Sequence, residues 1–263
     1  MRLRSLLVAL LVLGAGCSGF GGEGPRPGDA RLAAPQGAAP TATDSSPPGL
    51  DGGVADAARL VAAHEQSLRG VSVALVTTRS VRSTVAGETN RSRRTRVRTD
   101  GNGTRFVRTV VDAPSETRAV ELWQDGEAGL RHVAETGETT AVAGVDDPGE
   151  RYRTGRLASW LAAGTYEVRR TESSYVLVAT GYAHPDGGRS EADTARYEAR
   201  AIVTPAGRVT AMTATLVTVE RNKWGRQTVV RSYSYRVART GGVTVPRPAW
   251  VADGRSLEGA VDG

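Results

Sequence analysis

A chain of 263 residues with 39% apolar and only 5% aromatic side chains has room for one full-sized domain, with a thin core of Val, Ala and Leu. That apolar content argues against a membrane-embedded transporter, and charged residues at 24%, 34 basic against 28 acidic, are too nearly balanced to indicate disorder. Lys223 is the single lysine, so arginine carries the basic charge, a skew that points to GC-rich coding before it points to any function.

The N-terminus reads as an export signal. Arg2 and Arg4 precede an apolar run from Leu6 to Leu13, followed by the small residues Gly14, Ala15 and Gly16 and then Cys17. The run is far shorter than the roughly 20 residues that a membrane-spanning helix requires. Cys17 is the only cysteine, so no intramolecular disulfide can form, and its place after the small residues has the layout of a lipobox. Gly14 stands where most lipoboxes carry Leu. The expected arrangement is a signal peptide over 1–16, a lipidated Cys17, and a chain anchored to the outer face of the cytoplasmic membrane.

Residues 17–53 are rich in Gly, Pro, Ala and Ser and bury too little surface to offset ordering entropy, which predicts a flexible tether. The folded part is expected over 54–251, with a loose tail over 252–263. A helix is predicted over 54–70, where Ala57, Leu60, Val61, His64 and Leu68 share one face, and a second over 154–163, where Thr154 can cap and Leu157, Trp160 and Leu161 form a stripe. The rest alternates with period two. Over 197–203 the odd positions hold Tyr, Ala, Ala and Val, and over 229–237 they hold Val229, Arg231, Tyr233, Tyr235 and Val237. Turn residues at Asp100-Gly101-Asn102-Gly103, Asp125-Gly126, Asp186-Gly187-Gly188, Pro205-Ala206-Gly207 and Gly241-Gly242 separate the strands. The predicted fold is α+β, mainly antiparallel β: a meander of about nine to eleven strands, curved into a half-barrel around two short helices. Its concave side would rest on Leu60, Leu68, Trp160 and Leu161, and these four are the candidate ligand-pocket residues.

The order of a lipobox-like Cys17, a polar tether, the Leu60-to-Leu68 helix, strand hairpins, the Leu157-Ala158-Ser159-Trp160-Leu161 helix and the closing Val243-Thr244-Val245-Pro246-Arg247-Pro248-Ala249-Trp250-Val251 resembles a group of haloarchaeal lipoproteins of unassigned role. These are similar in design to LolA-like lipoprotein carriers and to mycobacterial lipid-binding lipoproteins. The resemblance covers about 200 residues, includes no catalytic motif, and departs from the acidic composition usual in haloarchaeal proteins. It implies an open, helix-plugged half-barrel able to shield a hydrophobic ligand.

Catalytic and metal-binding signals are sparse. His64 lies on the apolar helix face as a satisfied core residue, His132 lies in a strand and His184 precedes Pro185, and no pair has zinc-site spacing. No Gly-x-Ser-x-Gly elbow occurs, so neither an enzyme nor a metal or other cofactor is expected. In the run Arg91-Ser92-Arg93-Arg94-Thr95-Arg96-Val97-Arg98, the alternating Arg94, Arg96 and Arg98 would form a positive stripe, a candidate contact for anionic surfaces. Without interleaved aromatics and with an extracellular address, nucleic acid is not the expected partner. Asn90 and Asn102 head glycosylation sequons. Trp160 is expected to line the pocket and Trp224 to sit in a loop. The function this pattern implies is a membrane-anchored binding or carrier protein for a hydrophobic small molecule or lipid. The alternative is a surface module for protein or glycan contact, with a solid core.

Overall fold

The computed structural model describes residues 46–84, 90–145, 147–183, 193–222 and 225–252. The expected signal peptide, Cys17, most of the tether, Asp146, His184, the 186–188 turn, Trp224 and the tail from 253 onward lie outside the described residues.

Among the described residues, eleven strands form one antiparallel sheet that is open and curved, as the alternation predicts. In chain order, helix α1 (Ala57–Gln66) is followed by β1 (Val73–Ser83), β2 (Arg91–Thr99), β3 (Arg105–Ala113), β4 (Glu116–Asp125), β5 (Ala128–Val133) and β6 (Thr139–Ala143). Helices α2 (Pro148–Tyr152) and α3 (Gly155–Ala162) come next, then β7 (Gly164–Arg170), β8 (Tyr175–Tyr182), β9 (Asp193–Val203), β10 (Val209–Asn222), β11 (Gly225–Thr240) and α4 (Ala249–Ala252). The sheet order is β6-β5-β4-β3-β2-β1-β11-β10-β9-β8-β7, two meanders that meet where β1 pairs with β11. After β6 the chain stands at one edge, and it must reach the opposite edge to begin β7. Helices α2 and α3 occupy that crossover.

Alternation selects the face that the helices cover. On β1, β2 and β9 the odd-numbered residues Val73, Leu75, Val97, Ala199, Ala201 and Val203 are buried, in a cluster with Leu60 and Val61 of α1 and Leu157 and Leu161 of α3. Helix α1 starts at Asp56, whose carboxylate accepts from the Arg59 N–H at 2.9 Å. It is shorter than predicted, and Leu68 lies in the following turn but remains fully buried.

Three boundaries differ from the sequence expectation. The core reaches back to Leu50, which is buried and forms a bridge with Val54, so the ordered part starts before residue 54. Thr154 does not cap α3: its backbone is already helical, and its hydroxyl donates to the Glu65 carboxylate on α1, tying the two helices together. Helix α2 was not predicted, although Asp147 caps it through the Gly149 and Glu150 N–H groups and Pro148 occupies its first turn. At the β2–β3 hairpin, Asp100 accepts from Asn102 N–H at 2.8 Å and Thr104 N–H at 3.1 Å, and Gly101 takes φ +89°. Gly241-Gly242 ends β11 rather than joining two strands.

Beyond β11 the chain supports a second, smaller cluster of Trp123, Leu130 and Val251, with Phe106, Val245 and Trp250 against it. Phe106 has the opposite parity to Val107 of the main core, so this cluster covers the outer face of β3–β5. Trp250 stacks on His132 at 4.9 Å and donates its indole N–H to Glu121 at 2.7 Å.

Candidate functional site

The inward side chains of β1 change character along the strand. Starting from Val73 and Leu75, they become Thr77, then Arg79, then Val81. Each lies in a cross-strand row: Val97–Leu75–Val237, then Thr95–Thr77–Tyr235, then Arg93–Arg79–Tyr233, then Arg91–Val81–Arg231. Apolar rows underlie α1, and basic rows lie toward the opposite end of the strands, where α3 crosses.

Helix α3 is fixed there by its own unpaired carbonyls. Tyr197 of β9 donates to the Trp160 carbonyl at 2.6 Å, and Tyr166 of β7 lies 3.1 Å from both that oxygen and the Tyr197 hydroxyl. Burial pushes the Tyr166 hydroxyl up to about 12 and raises Tyr197 further still, so both remain protonated donors. The Trp160 ring stacks with Tyr197 at 6.1 Å and Tyr233 at 5.9 Å, the latter pair within 6° of parallel. This holds one aromatic plane over the basic rows.

Between the inner face and the crossover helices lies an open cavity of about 390 Å³, with Arg79, Arg93 and Tyr233 on the sheet side and Glu150, Arg153 and Arg156 on the helical side. A neighbouring cavity of about 340 Å³ shares Arg79, Arg93 and Arg156 and continues past Trp160 and Val81 to Arg91 and Arg231. Glu150 holds Arg153 at 2.9 Å, and Arg231 is bound to Glu220 at 2.6 Å and to Thr218 at 2.8 Å. The side chains of Arg79, Arg93 and Arg156 have no salt bridge or hydrogen bond among the described residues.

The candidate pocket residues divide. Leu60, Leu68 and Leu161 have no exposed surface and pack solidly, so they form the core rather than a pocket wall. Of the four, Trp160 borders the second of the two cavities. Their large apolar side chains close the space under α1, and the two inner-face cavities lie where arginines replace them. Sequence reasoning passed over Arg79, Arg93, Arg153, Arg156 and Tyr233. The available signal was parity: Val97 and Thr95 mark the inward face of β2, and Arg91 and Arg93 share it.

Arg94, Arg96 and Arg98 are exposed on the outer face, the same side as one another. Arg94 and Arg96 border a shallow groove with Arg108, which reaches Glu121 at 3.6 Å. Asn90 and Asn102 are exposed, the first just before β2 and the second in the β2–β3 turn. His64 is a core residue: its Nδ1 accepts from the Val209 N–H at 3.2 Å and its Nε2 lies 2.8 Å from the Tyr235 hydroxyl.

Fold and cavity together define an open antiparallel sheet closed over short helices, with a basic, aromatic-walled hollow beneath the crossover. No protein-family model matches the sequence, and no curated protein matches it. Among solved structures, the chain is similar to a LolA superfamily protein from Nitrosomonas europaea, at 13% identity over 72% of this chain and 94% of that one, with a TM-score of 0.27.

Proposed function

We propose that the chain is a binding protein, held outside the cytoplasmic membrane by a lipid on Cys17, that takes a hydrophobic small molecule or lipid into the hollow under α3 and performs no reaction on it. The observation that carries the reading is the pair of adjoining cavities on one inner face, the second of them walled by Trp160 and Val81. Apolar surface removed from water there supplies about 25 cal/mol per Å². Lipid extraction and native mass spectrometry of the chain purified from its own membrane test it. A copurifying amphiphile, lost in Trp160→Ala, is expected; a chain that stays empty when offered detergent-solubilised membrane lipids refutes the reading.

The exposed Arg94, Arg96 and Arg98 favour a second reading, contact between the outer face and an anionic surface. Replacing all three by Ser should weaken binding to vesicles containing anionic lipid, and unchanged binding dismisses this reading.

A further inference from the structure

Arg79 and Arg93 are directly opposed in the β1–β2 register, and Tyr233 opposes Arg79 from β11. Directly opposed residues on one face hold their Cβ atoms about 4.5–5.5 Å apart, and like charges so placed repel. Arg156 of α3 and Arg153 approach from above, and Glu150, engaged with Arg153, is the one carboxylate among the described residues that line this space. Four guanidinium groups therefore meet one carboxylate. Burial lowers the pKa of Arg79 from its ordinary value, and Arg93, Arg156 and Arg153 lower it further, a measure of how closely the cations crowd it.

Two other groups point to a missing partner. Tyr233 is 3% exposed, and its hydroxyl has no hydrogen-bond partner although it borders the cavity. Its pKa is raised by burial, so it keeps a proton to donate. Arg153 is held at φ 58°, a backbone region that favours glycine, and its buried Nε is also unpartnered.

We propose that Arg79, Arg93, Arg153, Arg156 and the Tyr233 hydroxyl form a subsite for an oxyanion, the phosphate, sulfate or carboxylate head of an amphiphile whose apolar part lies along Trp160 and Val81. A guanidinium presents paired N–H donors that match such oxygens, and an anion between Arg79 and Arg93 turns their repulsion into attraction. The tail assignment rests on the binding-protein reading above, whereas the oxyanion subsite stands on the arginine row itself.

The test titrates the full mature chain with decyl phosphate, decanol and inorganic phosphate by calorimetry, below the micelle concentration of decyl phosphate. Decyl phosphate should bind more tightly than either of the others. The Arg79→Gln, Arg93→Gln double variant should weaken it at least tenfold and leave decanol unchanged, and Tyr233→Phe should weaken it severalfold. Without ligand, the double variant should melt no lower than the wild type because opposed charges are removed; if it fails to fold, Arg156→Gln, exposed at the rim, takes its place and should weaken binding about threefold. Equal affinity of wild type and variants for decyl phosphate overturns the subsite. Inorganic phosphate binding as tightly as decyl phosphate, and lost in the variants, keeps the subsite but removes the amphiphile and with it the proposed function. Decanol binding as tightly as decyl phosphate keeps the proposed function and removes the subsite.

Discussion

His64 makes the stability of the fold depend on pH in a way that can be worked out from its contacts. The ring is fully buried, and the Val209 N–H can only donate, so Nδ1 must be the bare acceptor and Nε2 carries the proton that it donates to Tyr235. Protonating Nδ1 would break the first bond and place a cation in the core near Arg208. Burial, with Arg208 adding to it, lowers the His64 pKa to about 3, against about 6.5 for a histidine in an unfolded chain. Between these values the unfolded chain binds a proton that the folded chain refuses, so stability falls as pH falls through 6.5, by up to about 1.4 kcal/mol per pH unit. Between pH 8 and pH 5 the accumulated loss is about 2 kcal/mol. Urea unfolding followed by tryptophan fluorescence at the two pH values measures it, with His64→Gln as the reference, since its carboxylates titrate as in the wild type. The wild type should lose about 2 kcal/mol more than the variant on acidification. Equal losses in the two proteins would refute the assignment of His64 as a neutral, doubly bonded core residue.

Two further outcomes follow from the N-terminal part of the chain. Gly49 has φ +84°, and a Cβ there would lie 2.3 Å from the Asp56 carbonyl oxygen, so Gly49→Ala should displace Leu50 from the core and cost about 2 kcal/mol or more, read as a lowered melting temperature in circular dichroism; an unchanged melt would show that the Leu50 segment contributes nothing. If a lipid on Cys17 holds the protein at the membrane, Cys17→Ser should move it into the medium, and a variant that stays with the membrane fraction on centrifugation removes that anchor from the proposed function.

The strand pattern was readable because the buried face is written in consecutive odd positions, as in Tyr197, Ala199, Ala201 and Val203, all buried. Helix α1 was readable through the helical period instead, in Leu60, Val61 and His64. The pocket was not. Predicting it meant knowing that Leu60, Leu68 and Leu161 interlock tightly enough to leave no space, which depends on three-dimensional packing and not on their apolar character. The arginine run in β2 drew attention by its density, and its outward members Arg94, Arg96 and Arg98 are exposed. The inward Arg93 gains significance only from the registers that set Arg79 beside it and Tyr233 one strand further on. Helix α2 is five residues long, too short to show any period, and only its Asp-Pro start marks it.

The seam between β1 and β11 joins the earliest strand of the sheet to the latest. Until β11 is in place, β1 and β10 each present a bare rim of backbone donors and acceptors, in the middle of what will become the sheet. A chain cut short before Gly225 would therefore have two long sticky margins where the intact protein has none, and it should self-associate strand to strand rather than persist as a smaller soluble domain.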